Sequence, residues 1–506
     1  MTFQFDLTQE PWISAIQSDG RLIELSLQDV LIQAHELREL GGESPMITAA
    51  LYRLLLAILH RVHQGPKDMR QWSQLWKQGQ WNTEKVHAYL DRWQEQFDLF
   101  HPDYHFYQAK DERIKAPKSI SAMMHEVASG NNATLFDHTT DNDALSLTPA
   151  QAARYLLAAQ TFGLSGLSGL PDKFTYGPCV GGVLFLVQGD SLFQTLALNL
   201  LPYPDQQFFQ TYEGDEPSWE QADPLAKRVS PKGYLDYLTW PNRRILLMPE
   251  ATSEGVRVRQ MTMGPGLRME SSDRDPMMCY WSDAEKKRNM LPLRLSETRA
   301  LWRDSSALFR LNNQDYHPPR AFDWINDLAQ AEFLNDEQTY RYLALGMAND
   351  QAKMEFFRTE RMSLHLDYLK KPELVGDLER LLKLAEDVSR QLWGASNTLA
   401  RYLLMPDTAE DKTKKSPPEV GKLVESWAVE RGYWSQLETP FRDILDKLPK
   451  DSEQAKAEWF ATLRKAAREA LDLVIDNLDG STRSLRAAVQ AERRLLGGLS
   501  GLIKIE

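Results

Sequence analysis

Cysteine is scarce in this 506-residue chain: Cys179 and Cys279 are the only two, and they form no paired motif. Their number and separation exclude a disulfide framework and a zinc site built from cysteine pairs. Long apolar runs are also lacking, since no stretch approaches the ~20 consecutive apolar residues that cross a bilayer. The chain does not open on a basic segment followed by an apolar one, so no signal peptide is predicted. These absences predict a cytoplasmic protein that does not associate with a membrane.

Positive charge is in deficit as well. The chain holds 59 Lys and Arg residues against 71 Asp and Glu residues, a net charge of −12. Proteins that bind nucleic acid over their whole surface are usually basic, so that class is excluded. Residues 401–506 carry 18 basic and 18 acidic side chains, which places the whole deficit in residues 1–400. Any contact with nucleic acid is therefore local, or is shared with basic partner proteins.

The composition is otherwise that of a globular protein, with 42% hydrophobic and 26% charged residues. A chain of this length predicts two to four domains with cores of normal size. The N-terminal part mixes strand and helix patterns. Near its end, apolar runs at 339–345 and 353–357 flank a predicted turn at 346–352, where Asn349 and Asp350 suit a positive φ.

Beyond about residue 365 every strong pattern is helical. Short connections between such helices favour an antiparallel bundle. We therefore predict an α+β protein, with a large irregular mixed α/β N-terminal domain at residues 1–364 and a C-terminal antiparallel four-helix bundle at residues 365–506. The amphipathic stretches that predict the bundle are 372–404, 418–448, 453–477 and 481–503.

Catalytic motifs are missing. His60 and His63 are three residues apart and His101 and His105 four apart, but neither pair lies in an H-E-x-x-H context or has an obvious carboxylate third ligand. A phosphate-binding loop and a nucleophile elbow are also absent. The sequence thus predicts a binding or scaffolding protein with no catalytic residue, metal or cofactor. A metal-dependent hydrolase built on the histidine pairs is the alternative.

Glycines recur every three residues at Gly163, Gly166 and Gly169. Because glycine has no Cβ, such a segment can approach another backbone or a base step closely. The same spacing is also typical of a plain flexible turn. The turn that contains Gln351 also has two interpretations, since an ordinary hairpin tip has the same composition.

A collinear set of segments extends along nearly the whole chain, namely 6–13, 105–108, 131–138, 163–169, 189–201, 217–219, 240–241 and 346–352. In this order the segments resemble the CasA family, the large subunit of the type I-E CRISPR surveillance complex Cascade. The resemblance implies an irregular α/β domain followed by a four-helix bundle, which agrees with the patterns above. It also implies a protein without a nuclease site that recognises the protospacer-adjacent motif (PAM) in duplex DNA and starts unwinding.

Two contacts with the target duplex follow from the resemblance. The family inserts the backbone of a glycine loop into the minor groove beside the PAM, and Gly163, Gly166 and Gly169 match that loop. A basic residue on a nearby strand reads the same groove, and Arg259 matches it best, with Arg257 as the alternative. The minor groove presents a degenerate pattern, so we expect tolerance of several motifs.

The family also places a glutamine-tipped hairpin as a wedge in the duplex next to the PAM. Asn349, Asp350, Gln351 and Ala352 match this wedge. Asp350 stands where the family commonly has asparagine, and a carboxylate is unfavourable beside DNA phosphates. The resemblance therefore implies that Gln351, rather than Asp350, contacts the DNA.

A loop with Asn131, Asn132 and Phe136 resembles the one that docks near the guide-RNA 5′ handle and the neighbouring subunits. The partners implied are the other Cascade subunits, guide RNA, double-stranded target DNA and the CRISPR helicase-nuclease. Some family members bind zinc through paired cysteines, but the corresponding stretches here, near 137–150 and 253–270, contain none. We expect no structural zinc. A pure scaffold, which bridges subunits without touching DNA, is a further alternative.

Overall fold

The chain divides into two units in its computed structural model. The first unit holds Met1–Glu297 and Leu311–Arg361, and the second holds Thr298–Arg310 and Met362–Glu506. The predicted N-terminal domain 1–364 is therefore wrong for the segment 298–310, which belongs to the unit of the C-terminal helices. The structure describes residues 3–103, 106–114, 116–127, 145–165, 167, 175–204, 209–270, 274–282, 290–311, 316–335, 338–410 and 415–502.

The strands of the described residues form three-stranded sheets, in the orders β2-β1-β3, β4-β7-β6, β12-β11-β5 and β10-β8-β9. Neighbouring strands whose register is defined are antiparallel. Such small, separate sheets agree with the irregular mixed α/β domain that the sequence predicts. The strands are β1 (Ile13–Gln17), β2 (Leu22–Leu25), β3 (Leu37–Leu40), β4 (Lys118–Ser119), β5 (Val183–Gln188), β6 (Arg243–Thr252), β7 (Gly255–Pro265), β8 (Tyr280–Ser282), β9 (Met290–Pro292), β10 (Tyr316–His317), β11 (Tyr340–Asp350) and β12 (Lys353–Leu364).

Helices cover these sheets and supply much of the core. The helices that lie in the first unit, together with the short α8 of the second, are α1 (Leu27–Ile32), α2 (Pro45–His63), α3 (Met69–Gln78), α4 (Thr83–Arg92), α5 (Pro149–Phe162), α6 (Leu192–Leu198), α7 (Tyr234–Leu238), α8 (Ser305–Leu308) and α9 (Arg320–Gln330).

Helix α2 is both long and apolar, with 19 residues. By length and composition alone it could cross a membrane, a feature that the sequence pattern did not predict. Its most apolar window is 78% buried inside the protein, however. That degree of burial is typical of a core helix, which is hydrophobic on all sides because protein surrounds it.

Helix α5 leads directly into the glycine segment. Its start is fixed by a capping box, in which the Thr148 hydroxyl accepts from the Gln151 N–H at 3.2 Å and the Gln151 side chain accepts from the Thr148 N–H at 3.0 Å. Pro149 at the first helical position reinforces this start. The helix is buried along most of its length and ends at Phe162. Gly163 therefore directly follows a helix end that is packed in the core.

The C-terminal unit is helical, as predicted, but the stretch 418–448 is not one helix. Ala428 has a φ of 49° and ends the first of three helices there. Helix α11 packs against α12, α13, α15 and α16. The helices are α10 (Leu366–Lys370), α11 (Pro372–Leu404), α12 (Pro418–Trp427), α13 (Val429–Ser435), α14 (Glu438–Lys447), α15 (Ser452–Ile475) and α16 (Thr482–Leu502).

The segment 298–310 joins this unit through aromatic and charged contacts. The ring of Trp302 lies 4.6 Å from that of Phe441, centroid to centroid. The guanidinium of Arg303 lies 3.6 Å from the centre of the Trp434 ring and also donates to Glu386 at 2.6 Å. These contacts bury the segment against helices that lie more than 80 residues further along the chain.

Candidate nucleic-acid interface

The chain on either side of the three-glycine segment is joined by hydrogen bonds. We call residues 163–177 the glycine loop. The Gly177 N–H donates to the Gly163 carbonyl at 2.7 Å, and just outside the loop the Cys179 N–H donates to the Thr161 carbonyl at 3.1 Å. Both bonds connect the end of α5 to the returning chain. Gly163 and Gly177 therefore lie side by side at the end of α5, and we call this point the base of the loop.

Gly163 itself is buried at this base. A Cβ on Gly163 would lie 2.6 Å from the Ala159 carbonyl oxygen and 2.8 Å from the Arg243 guanidinium. Glycine at 163 is thus required by packing inside the chain. Gly166 and Gly169, the other two glycines predicted to meet DNA, lie outside the described residues.

Arg243, at the start of β6, crosses the base of the glycine loop. Its Nη2 donates to the Leu164 carbonyl at 2.6 Å and to the Thr175 carbonyl at 2.9 Å. Its Nη1 donates to the carbonyl and side-chain oxygens of Asn242, the first at 3.1 Å. Asn242 in turn donates its side-chain N–H to the Tyr176 carbonyl at 2.7 Å. Two adjacent side chains thus hold three carbonyls of the loop.

Arg259 lies on the exposed side of β7, at a β-bulge. Met248 pairs with Gln260 and Pro249 with Val258, which leaves Arg259 as the extra residue between them. Its guanidinium forms an ion pair with Glu250 at 2.9 Å, and both side chains are nearly half exposed. A bulge re-aims a side chain relative to the regular strand. Arg259, the predicted DNA contact, is therefore accessible, but the carboxylate of Glu250 partly neutralises its charge.

Arg257, the alternative contact, is less exposed. Its side chain is 23% exposed, against 46% for Arg259, and it forms an ion pair with Glu254 at 3.3 Å. The greater exposure favours Arg259 over Arg257 as the residue that meets an external partner.

The predicted hairpin exists, but its strands are longer than the sequence pattern indicates. β11 continues to Asp350 and β12 begins at Lys353, so the turn is only the two residues Gln351 and Ala352. The predicted turn 346–352 is wrong at its start, because Gly346 pairs with Val183 as part of the sheet.

The tip of this hairpin is exposed and its base is anchored. Met347 and Met354 are buried in the main hydrophobic core, while Asp350, Gln351 and Ala352 are exposed. The tip therefore extends only three residues beyond each anchor, so it has little freedom to move.

Gln351 occupies the left-handed region, with a φ of 51°. We predicted a positive φ for Asn349 and Asp350, and that prediction is wrong, since both residues lie in β11. Asn349 instead holds the turn, because its side-chain N–H donates to the Gln351 carbonyl at 3.0 Å. A non-glycine residue in this conformation costs roughly 1–2 kcal/mol. The hairpin therefore presents the Gln351 side chain at the expense of backbone strain.

The predicted docking residues Asn131, Asn132 and Phe136 lie outside the described residues, as does His105.

The first histidine pair is part of the core. Burial lowers the pKa of His60 and of His63 to about 4, so both rings are neutral at neutral pH. The Nδ1 of His60 is 3.0 Å from the Gly65 carbonyl, and the His63 ring lies 5.3 Å from that of Trp81. Over the described ranges, no three His, Cys, Asp or Glu side chains group so that they could hold a metal ion. The pair thus has no carboxylate with which to form a hydrolase site there.

Sequence reasoning missed Arg243 and Asn242. A signal was available, since Arg243, Ile245 and Leu247 alternate with the period of a strand and all point inward. An arginine in an inward register requires buried hydrogen-bond acceptors. The sequence does not reveal that these acceptors are carbonyls of a loop about 75 residues earlier.

Comparison with known proteins gives one consistent result. The family model of CRISPR-associated protein Cse1 matches residues 6–470. The CRISPR-associated protein CasA/Cse1 of Thermus thermophilus is 35% identical over 519 residues, which cover 98% of each chain.

Solved structures agree. The crystal structure of CasA from Thermus thermophilus aligns with a TM-score of 0.83 and 30% identity, over 99% of this chain and 100% of that one. A chain of a CRISPR RNA-guided surveillance complex aligns with a TM-score of 0.79 and 25% identity, over 97% and 99% of the two chains. The resemblance found in the sequence is confirmed, and the chain belongs to the CRISPR-associated Cse1 (CasA) family.

Proposed function

We propose that this chain is the large, non-catalytic subunit of a type I-E CRISPR RNA-guided surveillance complex, Cascade, and acts in the cytoplasm with the other subunits and guide RNA. Its similarity to a chain of such a complex along 97% of its length supports this. The net charge of −12 is compatible with the role, because basic partner subunits can supply the channel for nucleic acid. The neutral, buried His60 and His63 give no support to a hydrolase.

Within the complex, the proposed task is to recognise the PAM in duplex DNA and to begin unwinding beside it. The observation that carries this proposal is the hairpin tip, where an exposed Gln351 stands between two buried anchors. Proteins that act on the minor groove insert side chains between base steps, and a rigid support is what lets an inserted side chain separate the bases. Guide pairing can then begin at the separated bases and read the remaining sequence.

Minor-groove contact is the proposed task of the glycine loop and of Arg259. The carbonyls of Leu164, Thr175 and Tyr176 are bound to Arg243 and Asn242, so the proposed contact with DNA falls on the residues between 164 and 175. Arg259 supplies a positive charge on a neighbouring sheet surface. Because each contact is local, an acidic protein can make both.

The helical unit is proposed to form the four-helix bundle of the family around α11 and to present a surface to the helicase-nuclease. The loop with Asn131, Asn132 and Phe136 is proposed to dock near the guide RNA and the neighbouring subunits. The packing of α11 against α12, α13, α15 and α16 supports the first assignment.

Target recognition by the assembled complex tests the function directly. Complexes with guide RNA are prepared with and without this chain, and R-loop formation is measured on duplexes with a matched target and randomised flanking sequence. We expect strong selection for a few flanking motifs only when the chain is present. A pure scaffold predicts R-loops without flanking selection, and that outcome contradicts the proposal. Metal-dependent hydrolysis of target DNA by the isolated chain would favour the hydrolase.

The ion pair between Arg259 and Glu250 gives a sharper prediction. Arg259→Ala should weaken duplex binding most at low salt, and the slope of log affinity against log salt should become shallower by about 1. Glu250→Gln should strengthen binding at low salt, because it releases the guanidinium from its carboxylate. Exposed pairs are worth about 0–1 kcal/mol, so the gain should be a few-fold.

The double variant is the control for this pair. If Arg259 contacts DNA, Glu250→Gln should give no gain once Arg259 is alanine. The assignment is wrong if Arg259→Ala keeps the wild-type salt slope, and Arg257→Ala is then the variant to compare.

A further inference from the structure

One buried guanidinium joins the two ends of the glycine loop. Arg243 is 2% exposed, and its Nη2 bonds the carbonyls of both Leu164 and Thr175. We propose that Arg243 is a positioning residue, which fixes the two ends of the glycine loop at Leu164 and Thr175 and thereby strengthens binding of the duplex. This inference rests on the proposed function, since it assumes that the glycine loop contacts DNA.

The environment of Arg243 is unusual for a buried charge. In the described part of the chain no carboxylate pairs with it, and its guanidinium donates to carbonyl and amide oxygens. Burial lowers the pKa of Arg243 to about 10, so the group remains charged at neutral pH. A buried cation without a counter-ion is unfavourable unless hydrogen bonds satisfy it. Here the oxygens that satisfy it belong to the loop and to the adjacent Asn242.

The rest of Arg243 is fixed in place independently of the loop. Its backbone N–H donates to the Gln160 side chain at 2.7 Å, and its carbonyl accepts from the same side chain at 2.9 Å. Gln160 lies in the last turn of α5. A positive charge is favourable near the C-terminal end of a helix, which adds a further attraction. The backbone of Arg243 is thus fixed by Gln160, and its guanidinium extends from there to the loop carbonyls.

Fixing the loop base has a consequence for binding. A flexible loop loses conformational entropy when a ligand orders it, whereas a preorganised loop has already lost it. Arginine suits this task because its planar fork can bond several oxygens at once. Lysine has one ammonium on a flexible stem and cannot reproduce that geometry.

Arg154 provides a matched control. It is also buried, at 3% exposure, and lies in α5, the helix that carries Gln160, but its partners are Glu43, Glu24 and the Trp12 carbonyl. None of these partners belongs to the glycine loop. Arg154→Lys therefore reproduces the general effect of replacing a buried arginine, without releasing the loop.

Hydrogen exchange and duplex binding test the proposal together. In Arg243→Lys, exchange of the Gly177 and Cys179 amides should accelerate by about tenfold, because the loop base opens locally. Binding of a motif-containing duplex should weaken by about tenfold, as expected for the loss of one or two hydrogen bonds. Assembly with guide RNA should be unchanged, and Arg154→Lys should leave both amides at their wild-type rates.

A second variant applies if Arg243→Lys does not fold. Arg243→Met fills a similar space without a buried charge or a hydrogen-bond donor, and it should give the same acceleration at Gly177. Wild-type exchange in the folded variants, or equal acceleration in Arg154→Lys, overturns the proposal. So does faster exchange with undiminished duplex binding. If the wild-type complex shows no motif-dependent binding at all, the proposed function fails instead, and exchange alone then decides whether Arg243 holds the loop.

Discussion

Duplex binding should be lost when aspartate replaces Gly166 or Gly169 of the glycine loop. In Gly166→Asp and Gly169→Asp the new Cβ prevents close approach of the backbone to the groove, and the carboxylate repels the phosphates. Like charges brought together at an interface cost several kcal/mol, so affinity should fall by about a hundredfold or more. Binding of the assembled complex to a motif-containing duplex measures the effect. Assembly with guide RNA should be retained.

A control separates this effect from the added charge alone. Gly421 lies in α12, and a Cβ there would meet no atom within 4 Å, so Gly421→Asp changes the net charge equally at a harmless position. It should bind the duplex as wild type does. Gly166→Ala should give an intermediate loss, since it adds bulk without charge. Wild-type affinity in both aspartate variants would show that the loop is a plain turn.

Gly163 does not suit the same aspartate test, because it is packed against other residues of the chain. Its Cβ would collide with Arg243 and with the Ala159 carbonyl, so a loss of binding in a Gly163 variant would report a disturbed loop base. The regular spacing of the three glycines suggested one shared role. Gly163 is required by packing inside the chain, so the predicted contact with DNA is tested at Gly166 and Gly169.

The sequence pattern predicted the existence of the helices and strands better than the residues at which they begin and end. The hairpin was predicted from two apolar runs and turn-forming residues, yet β11 continues through Gly346 to Asp350. Pairing with β5 and β12 keeps those residues extended, and such pairing depends on residues far away in sequence. The strain at Gln351 follows from the same cause, because two long strands leave only two residues for the turn.

Long-range contacts also explain the misplaced boundary. Nothing in the sequence of 298–310 distinguishes it from its neighbours in the mixed α/β domain. Its assignment depends on Trp302 against Phe441 and Arg303 against Trp434, pairs that are separated by more than 130 residues. Arg243 was missed for a similar reason, since its acceptors are loop carbonyls that any sequence would supply.

The positive φ of Gln351 determines how the wedge is best tested. Alanine at 351 would remove the side chain but keep the strained backbone. Glycine removes the side chain and relieves the strain, since it adopts a positive φ readily. Gln351→Gly therefore isolates the side chain, while Gln351→Asn keeps a shorter amide and still tolerates the conformation. Asp350→Asn is the neighbouring control, and it should bind DNA at least as well as wild type because a carboxylate near phosphates is removed.

R-loop formation on fully paired DNA should slow in Gln351→Gly by about tenfold to a hundredfold. Unstacking a base step costs a few kcal/mol, and each 1.4 kcal/mol that the side chain no longer offsets slows the step about tenfold. A target already unpaired beside the PAM does not need the wedge, so the same variant should form its R-loop at nearly the wild-type rate. Gln351→Asn should lie between the two on paired DNA. An equal defect on paired and pre-opened targets would show that Gln351 is not a wedge, and no defect on either would favour a scaffold that bridges subunits without opening DNA.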